Sequence, residues 1–215
     1  MDLFKFDKSK KNVRCSLDLY IQGFDFIIGT DEAGRGPAAG GVWAAAVCFF
    51  DNVDKNIFSR LNDSKKLSPK AREELYEPIK SNSYYSIQSI DVAKIEEINI
   101  LQASLLGMKL AVEDVISQIK SEKCLTLVDG NKLIKNFNFP QEYIIKGDSK
   151  SASIAAASIL AKVTRDRFMD EIDKIYPNYD WKNNKGYLTK SHIEAIKKFG
   201  TTEYHRLSFL KNILN

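Results

Sequence analysis

The stretch Ile27-Ile28-Gly29-Thr30-Asp31-Glu32-Ala33-Gly34-Arg35-Gly36-Pro37 decides the fold. An apolar run, Phe26 to Ile28, leads into two adjacent carboxylates. A Gly-Arg-Gly-Pro turn follows at once, and a second apolar run starts at Val42. Strand, turn, strand is the simplest reading, and it puts Asp31 and Glu32 at the end of a first strand over about 24–31. Neighbouring strand residues point to opposite faces, so a flat strand cannot aim both carboxylates at one point. A kink or the start of the turn can, and the glycines downstream permit one. Those glycines also let backbone amides come close to a phosphate or sugar. Two hard oxygen ligands beside an anion-friendly turn point to a metal-dependent phosphate site. For an isolated Asp-Glu pair, an acidic surface turn is the plain alternative.

Outward from this stretch, residues 1–23 are polar and carry a Lys-rich piece, Lys8 to Lys11; they read as a loosely held N-terminal arm. The second strand covers about 41–50, and its short link to the first makes the two antiparallel neighbours. After a polar loop, Asn62 to Leu67, Ser68-Pro69 reads as an N-cap with Pro at the first helical position. That helix is expected to stop near Glu77, before Pro78. A third strand is expected over 84–90. Residues 92–120 read as one long helix, because Leu101, Leu105, Met108, Val112, Val115 and Ile119 recur at three- and four-residue steps. Leu125 to Val128 is a fourth strand closed by Asp129-Gly130-Asn131. Tyr143 to Ile145 is a fifth, closed by Lys146-Gly147-Asp148-Ser149. A long helix over 151–175 follows, Ala-rich at its start and ended by Pro177. Two short helices, 190–198 and 202–213, flank Gly200.

This order argues an α/β fold, a sheet covered by helices. The fourth and fifth strands reach the sheet by helical crossovers and should lie parallel to the first. Asp31 with Glu32, Asp129 and Asp148 then gather at one carboxyl edge of the sheet, where α/β proteins place their sites. Four carboxylates together repel one another unless cations fill the gap; Mg2+ or Mn2+ suits oxygen-only ligands and phosphate substrates. Neither His192 nor His205 lies at a strand end, so zinc or a histidine-based triad finds no support.

The 215-residue chain is long enough for a full core, and its 44% apolar and 28% charged residues are ordinary for a globular protein. Its longest apolar run, Val42 to Phe50, is strand-sized. The N-terminus has no apolar signal region. Cys15, Cys48 and Cys124 are scattered, as free thiols in a reducing compartment would be, and a cytoplasmic location is expected. The net charge of +4 lies wholly in 180–215, which holds seven Lys/Arg against three acids, while 1–179 is balanced. A basic patch is the footprint of a nucleic-acid binder; a solvated helical tail explains the charge equally well.

At this point the residues match a known family. The chain resembles ribonuclease HII, the type 2 ribonuclease H, through Asp31 to Pro37, Asn62 to Leu67, Asp129-Gly130-Asn131, Lys146 to Ser149, Ile154 to Asp166 and Lys185-Gly186-Tyr187. The pieces follow the family's order and spacing from about residue 24 onward. The resemblance implies the ribonuclease H-like fold, a five-stranded mixed sheet flanked by helices, as a catalytic domain over 24–179 with a C-terminal basic helical appendage over 180–215. It implies endonucleolytic cleavage of RNA–DNA hybrids and of single ribonucleotides in duplex DNA. The cut would fall on the 5′ side of the ribonucleotide and leave a 3′-hydroxyl and a 5′-phosphate. By position, Asp31, Glu32, Asp129 and Asp148 look like the catalytic carboxylates binding two divalent metals, Mn2+ or Mg2+. Gly34, Arg35 and Gly36 look like the turn that reads the ribose 2′-hydroxyl, and Tyr187 like the aromatic partner at the ribo–deoxyribo junction. Lys65, Lys162 and Arg165 are candidate phosphate contacts, with a merely solvated helix face as the alternative for each. The partners expected are hybrid and ribonucleotide-containing duplexes, with no membrane and a monomeric enzyme.

Two rivals share the scaffold. Ribonuclease HIII carries an extra N-terminal domain and lacks the Gly-Arg-Gly turn; residues 1–23 are too few for a domain, and Arg35 is present. A non-catalytic nucleic-acid-binding module would tolerate loss of a carboxylate, yet all four stand in place.

Overall fold

The computed structural model describes residues 3–10, 23–53, 57, 60–61 and 67–214. Five strands, β1 (Phe26–Ala33), β2 (Val42–Phe49), β3 (Ser83–Ile90), β4 (Cys124–Asp129) and β5 (Gln141–Ile144), form one mixed sheet in the order β3-β2-β1-β4-β5. The decisive stretch is therefore the central strand. β1 pairs antiparallel with β2 and parallel with β4, as the connection lengths require, and β4 pairs parallel with β5; the link from β4 to β5, residues 130–140, holds no helix, so the helical crossover expected there is replaced by an irregular loop. β1 extends through Ala33, so Asp31 and Glu32 lie within the strand, opposite Ala45 and Ala44 of β2, rather than past its end.

The described helices are α1 (Leu3–Lys10), α2 (Pro69–Ser81), α3 (Val92–Ile98), α4 (Ile100–Ile119), α5 (Ala152–Ile175), α6 (Trp181–Asn184), α7 (Lys190–Phe199) and α8 (Lys211–Leu214). On one face of the sheet, Ala45 and Val47 of β2 pack with the Ala-rich start of α5. On the other, Ile28, Ala46 and Cys48 pack with Ala111, Val112 and Val115 of α4. The alternation follows from the two-residue strand period. Gly29 is why α5 sits so close to β1: a Cβ there would lie 2.2 Å from the Ile154 backbone nitrogen. Ala155, Ala156 and Ala157, all fully buried, keep the facing surface as thin.

Four expectations need correcting. The N-terminal segment is not a loose arm where it is described: Leu3 and Asp7 of α1 are buried, and Asp7 Oδ2 accepts from Ser153 N–H and Oγ–H at the start of α5 (2.9 and 2.7 Å). The helix after Ser68 runs through Pro78 to Ser81, held by buried Leu75, Tyr76 and Ile79. The missing N–H of Pro78 falls in the last turn, where little is left to break. Residues 92–119 are two helices, because Asn99 adopts φ 66° and its side chain caps Leu101 and Gln102 of the second. Residues 202–206 are not helical: Ala39 and His205 form a backbone bridge instead, and only the short turn Leu207–Phe209 and α8 follow.

Candidate active site

The carboxyl ends of β1 and β4 and the turn after β5 bring the acidic residues to one edge, as parallel pairing dictates. Asp31 is 6% exposed. Its carboxyl is raised well above the usual carboxylate range, first by burial and then by the charges of Glu32 and Asp129; donors from Ser158 and the Glu32 N–H pull the other way. The Glu32 N–H reaches Asp31 Oδ1 at 2.7 Å. This lets two adjacent residues of one strand serve the same cleft: Asp31 folds back on its own backbone while Glu32 faces Arg35, whose Nη1 lies 3.2 Å from Oε1. Asp129 Oδ1 accepts from the Gly147 N–H at 2.7 Å. That bond ties β4 to the 3-10 turn Gly147–Ser149, which carries buried Asp148. Asp148 thus sits on a turn beyond β5, not at the strand's end; Ile145 is already outside the strand.

A cavity of ≈ 280 Å³ brings two of these acids, Asp31 and Glu32, together with the turn and Tyr187; Asp129 and Asp148 are not in its lining. Asp31, Glu32, Ala33, Gly34, Arg35, Gly36, Ser158, Lys162, Arg165 and Tyr187 line it. Gly34 has φ +101°, and a Cβ there would meet Arg165 Nε at 2.3 Å, so the turn needs glycine for both conformation and space. Tyr187 is 52% exposed, and its ring lies across from Gly36, where a Cβ would be 3.2 Å from Cε1.

The basic candidates separate. Lys162 faces the cavity, bonded to Asp166 at 2.5 Å, its pKa lowered chiefly by burial. Arg165 is 1% exposed and donates to the carbonyls of Ala39 and Lys185 (3.1 and 3.0 Å). Its role in the fold is to brace the turn, and burial lowers its pKa to about 10. Lys65 lies outside the described residues. The basic C-terminal patch is thinner than its residue count implies. Lys185 pairs with Asp170, and Arg206 is fully buried, which leaves Lys182, Lys190, Lys197, Lys198 and Lys211 exposed.

Reading the sequence missed Ser158, a donor to Asp31 inside an Ala-rich helix face, where its polarity was the available signal. It also missed Arg206, counted there as surface charge. The guanidinium donates to the carbonyls of Gly34 (2.7 Å), Arg35 (3.2 Å), Gly40 (2.7 Å) and Gly41 (3.1 Å). Burial lowers its pKa to about 9, with the Arg165 charge adding to the effect.

The acidic edge fits a hard divalent cation. Its donors are carboxylate oxygens, and a cation would relieve the repulsion that Asp31 experiences from Glu32 and Asp129. Among the described residues no three His, Cys, Asp or Glu side chains already surround a common point. Open coordination completed by substrate phosphates is the usual arrangement for Mg2+. His192 and His205 are buried against Trp181, in a hydrogen-bonded group of their own.

Comparison with known proteins agrees. The family model for ribonuclease HII matches residues 28–212. A Ribonuclease HII of Caldicellulosiruptor bescii is 53% identical over 198 residues, covering 92% of both chains. One from Pelagibacter ubique is 49% identical, covering 85% of this chain and 95% of its own. Among solved structures, the ribonuclease H2 of Pyrococcus horikoshii OT3 superposes with a TM-score of 0.69 at 25% identity, covering 85% of this chain and 93% of its own. Bst-RNase HIII, solved in complex with Mn2+, superposes with a TM-score of 0.71 at 17% identity, covering 88% and 69%, and shares the fold. With a match spanning the sheet, the acidic edge and the C-terminal segment alike, this chain belongs to the ribonuclease HII family and is an endoribonuclease acting on RNA–DNA hybrids.

Proposed function

We propose that the protein cuts on the 5′ side of ribonucleotides, both in RNA–DNA hybrids and singly embedded in duplex DNA, leaving a 3′-hydroxyl and a 5′-phosphate. The observation that carries this is the shared cavity, which Asp31 and Glu32 line together with the Gly34–Arg35–Gly36 turn and Tyr187. Asp31, Glu32, Asp129 and Asp148 would hold two divalent cations, Mg2+ or Mn2+. Bound there, these supply a hydroxide nucleophile and stabilise the leaving oxygen. Everything else falls to the chain. Asp31 and Asp129 are fixed by the Glu32 and Gly147 amides, so their oxygens keep one orientation. The turn offers backbone groups to a 2′-hydroxyl, the feature that distinguishes RNA from DNA. With deoxyribose those groups stay unpaired, which penalises the wrong sugar. Tyr187 would stack on the neighbouring deoxyribose and hold the junction in register, and Lys162 would meet a phosphate.

The direct test is incubation with a DNA duplex holding one ribonucleotide, in Mg2+, in Mn2+ and in chelator. A single 5′-side cut in either metal and none in chelator is expected. Cutting elsewhere, or undiminished cutting in chelator, would refute the assignment.

A further inference from the structure

Two adjacent residues, His205 and Arg206, lead to the two parts of the wall that faces the acidic edge: the Tyr187 backbone and the Gly34–Gly36 turn. Their backbone is fixed first: Ala39 and His205 form an antiparallel bridge, the Arg206 N–H donates to Ala38 O at 2.8 Å, and the Gly40 N–H donates to Tyr204 O at 2.8 Å. From this bridge the Arg206 side chain runs to the Gly34–Gly41 turn. Its forked donors reach four carbonyls there, Gly34, Arg35, Gly40 and Gly41. A guanidinium suits this task because its donors are planar and fixed relative to one another.

His205 runs the other way. The Thr202 N–H donates to His205 Nδ1 at 2.9 Å, so the neutral ring carries its proton on Nε2. That Nε2–H lies 3.2 Å from His192 Nε2 and shares its single lone pair with the Trp181 Nε1–H, 3.1 Å away, in a three-centre bond. His192 is thereby left with its proton on Nδ1, donated to the Tyr187 carbonyl at 2.9 Å. Burial, with the His192 ring adding to it, depresses His205 to about 4, consistent with two neutral rings in series. Both rings and Trp181 are 2% exposed or less.

We infer that His205-Arg206 is a joint that sets the Gly34–Arg35–Gly36 turn and Tyr187 in register, and so determines selectivity for a ribo–deoxyribo junction. The inference rests on the roles proposed above for the turn and Tyr187. Neither residue touches substrate; both are positioning residues. Arg165 links the Ala39 and Lys185 carbonyls, and so ties the same two segments together.

The test compares kcat/KM on a single-ribonucleotide duplex with that on a long RNA–DNA hybrid, for the wild-type chain, His205→Asn, Arg206→Lys and the double variant, each with a melting curve. A hybrid offers many registers and a single ribonucleotide only one, so a displaced wall penalises the second substrate more. Each single variant should lower the ratio about tenfold, well inside the ~100-fold that a 1 Å misplacement can cause. The double variant should lose little more than the worse single, because both act on one register. Cleavage of both substrates with an unshifted ratio in folded variants overturns the joint and leaves the function standing. Equal losses on both substrates that track a lower melting temperature overturn it too. No cleavage by the wild-type chain overturns both readings. If a variant does not fold, Thr202→Val, which replaces with a methyl the hydroxyl that lies 3.1 Å from His205 Nδ1 and accepts from the Tyr204 N–H at 3.2 Å, carries the comparison. An unshifted ratio there counts against the joint.

Discussion

On one wall of the cleft, Asp31, Glu32 and Asp129 crowd negative charge at the ends of neighbouring parallel strands, and Asp31 is pushed toward its neutral form. On the other, Arg165 and Arg206 bury positive charge against backbone carbonyls. The first wall is a set of like charges whose mutual repulsion a cation would relieve. The second is a set of charges held by backbone carbonyls: Arg206 reaches four of them, and Arg165 reaches two through Nη2 while its buried Nε has no partner. Removing a group from the first should therefore cost activity with little loss of fold, and removing one from the second should cost fold as well.

The largest effect expected is on the first wall. Asp129→Asn should lower turnover by at least ~100-fold, the scale for removing one charge-stabilising group from an active site. The melting temperature without metal should hold or rise, since one repelling charge is gone. Single-turnover cleavage in Mg2+ beside a thermal melt measures both; near-normal turnover would break the contrast. Next, Arg206→Ala should destabilise the fold by about 3 kcal/mol, because it strips donors from several buried carbonyls. For a chain of this length that is a melting-point drop of roughly 6–12 °C. A melt within a degree of wild type would show that water replaces the guanidinium.

A smaller effect concerns pH. His205 is held below its ordinary 6.5, to about 4, by burial and His192, and it packs against Tyr179, Trp181 and Thr202. A depressed folded value means that its contribution to stability is full above pH 6.5 and is lost as pH falls toward 4. Asp7 works in reverse: burial raises it to about 6, so its contribution is full below 3.8 and is lost as pH rises through 6. Melting curves from pH 7 to 4 should fall more steeply in Asp7→Asn and less steeply in His205→Asn than in wild type. Parallel curves would refute both signs. The smallest effect lies on the surface. Lys197→Gln with Lys198→Gln should reduce the slope of log affinity against log salt by at most about 0.9 per residue for a B-form duplex. An unchanged slope would make this end of α7 plain solvated surface.

The two walls also differ in how far the sequence discloses them. Strand-end acids are a local pattern, readable because apolar run, acid and glycine stand side by side at Asp31 and Asp129. The sheet followed from connection lengths for the same reason. Asn99 splits a helix whose apolar stripe continues across it, so periodicity alone conceals the break although the asparagine is a good cap. Residues 202–206 score as helix, yet they are drawn into a bridge with Ala39 that no local window contains. Arg206 looks like any basic residue of a charged tail. Only its contacts with Gly34 to Gly41, 165–172 residues away, show what it is for.

That separation has a consequence for biosynthesis. A chain emerging from the ribosome releases β1, β4 and the turn carrying Asp148 before Arg206 exists, and contacts between distant segments form late in any case. The acidic edge can therefore assemble while the Gly34–Gly41 turn still lacks its brace. A chain that stops short of residue 206 would possess all four of these carboxylates but not the guanidinium that holds the Gly34–Gly41 turn. On the roles proposed above, the walls that read the sugar are set only once His205 and Arg206 have been made and docked against Ala38 to Gly41.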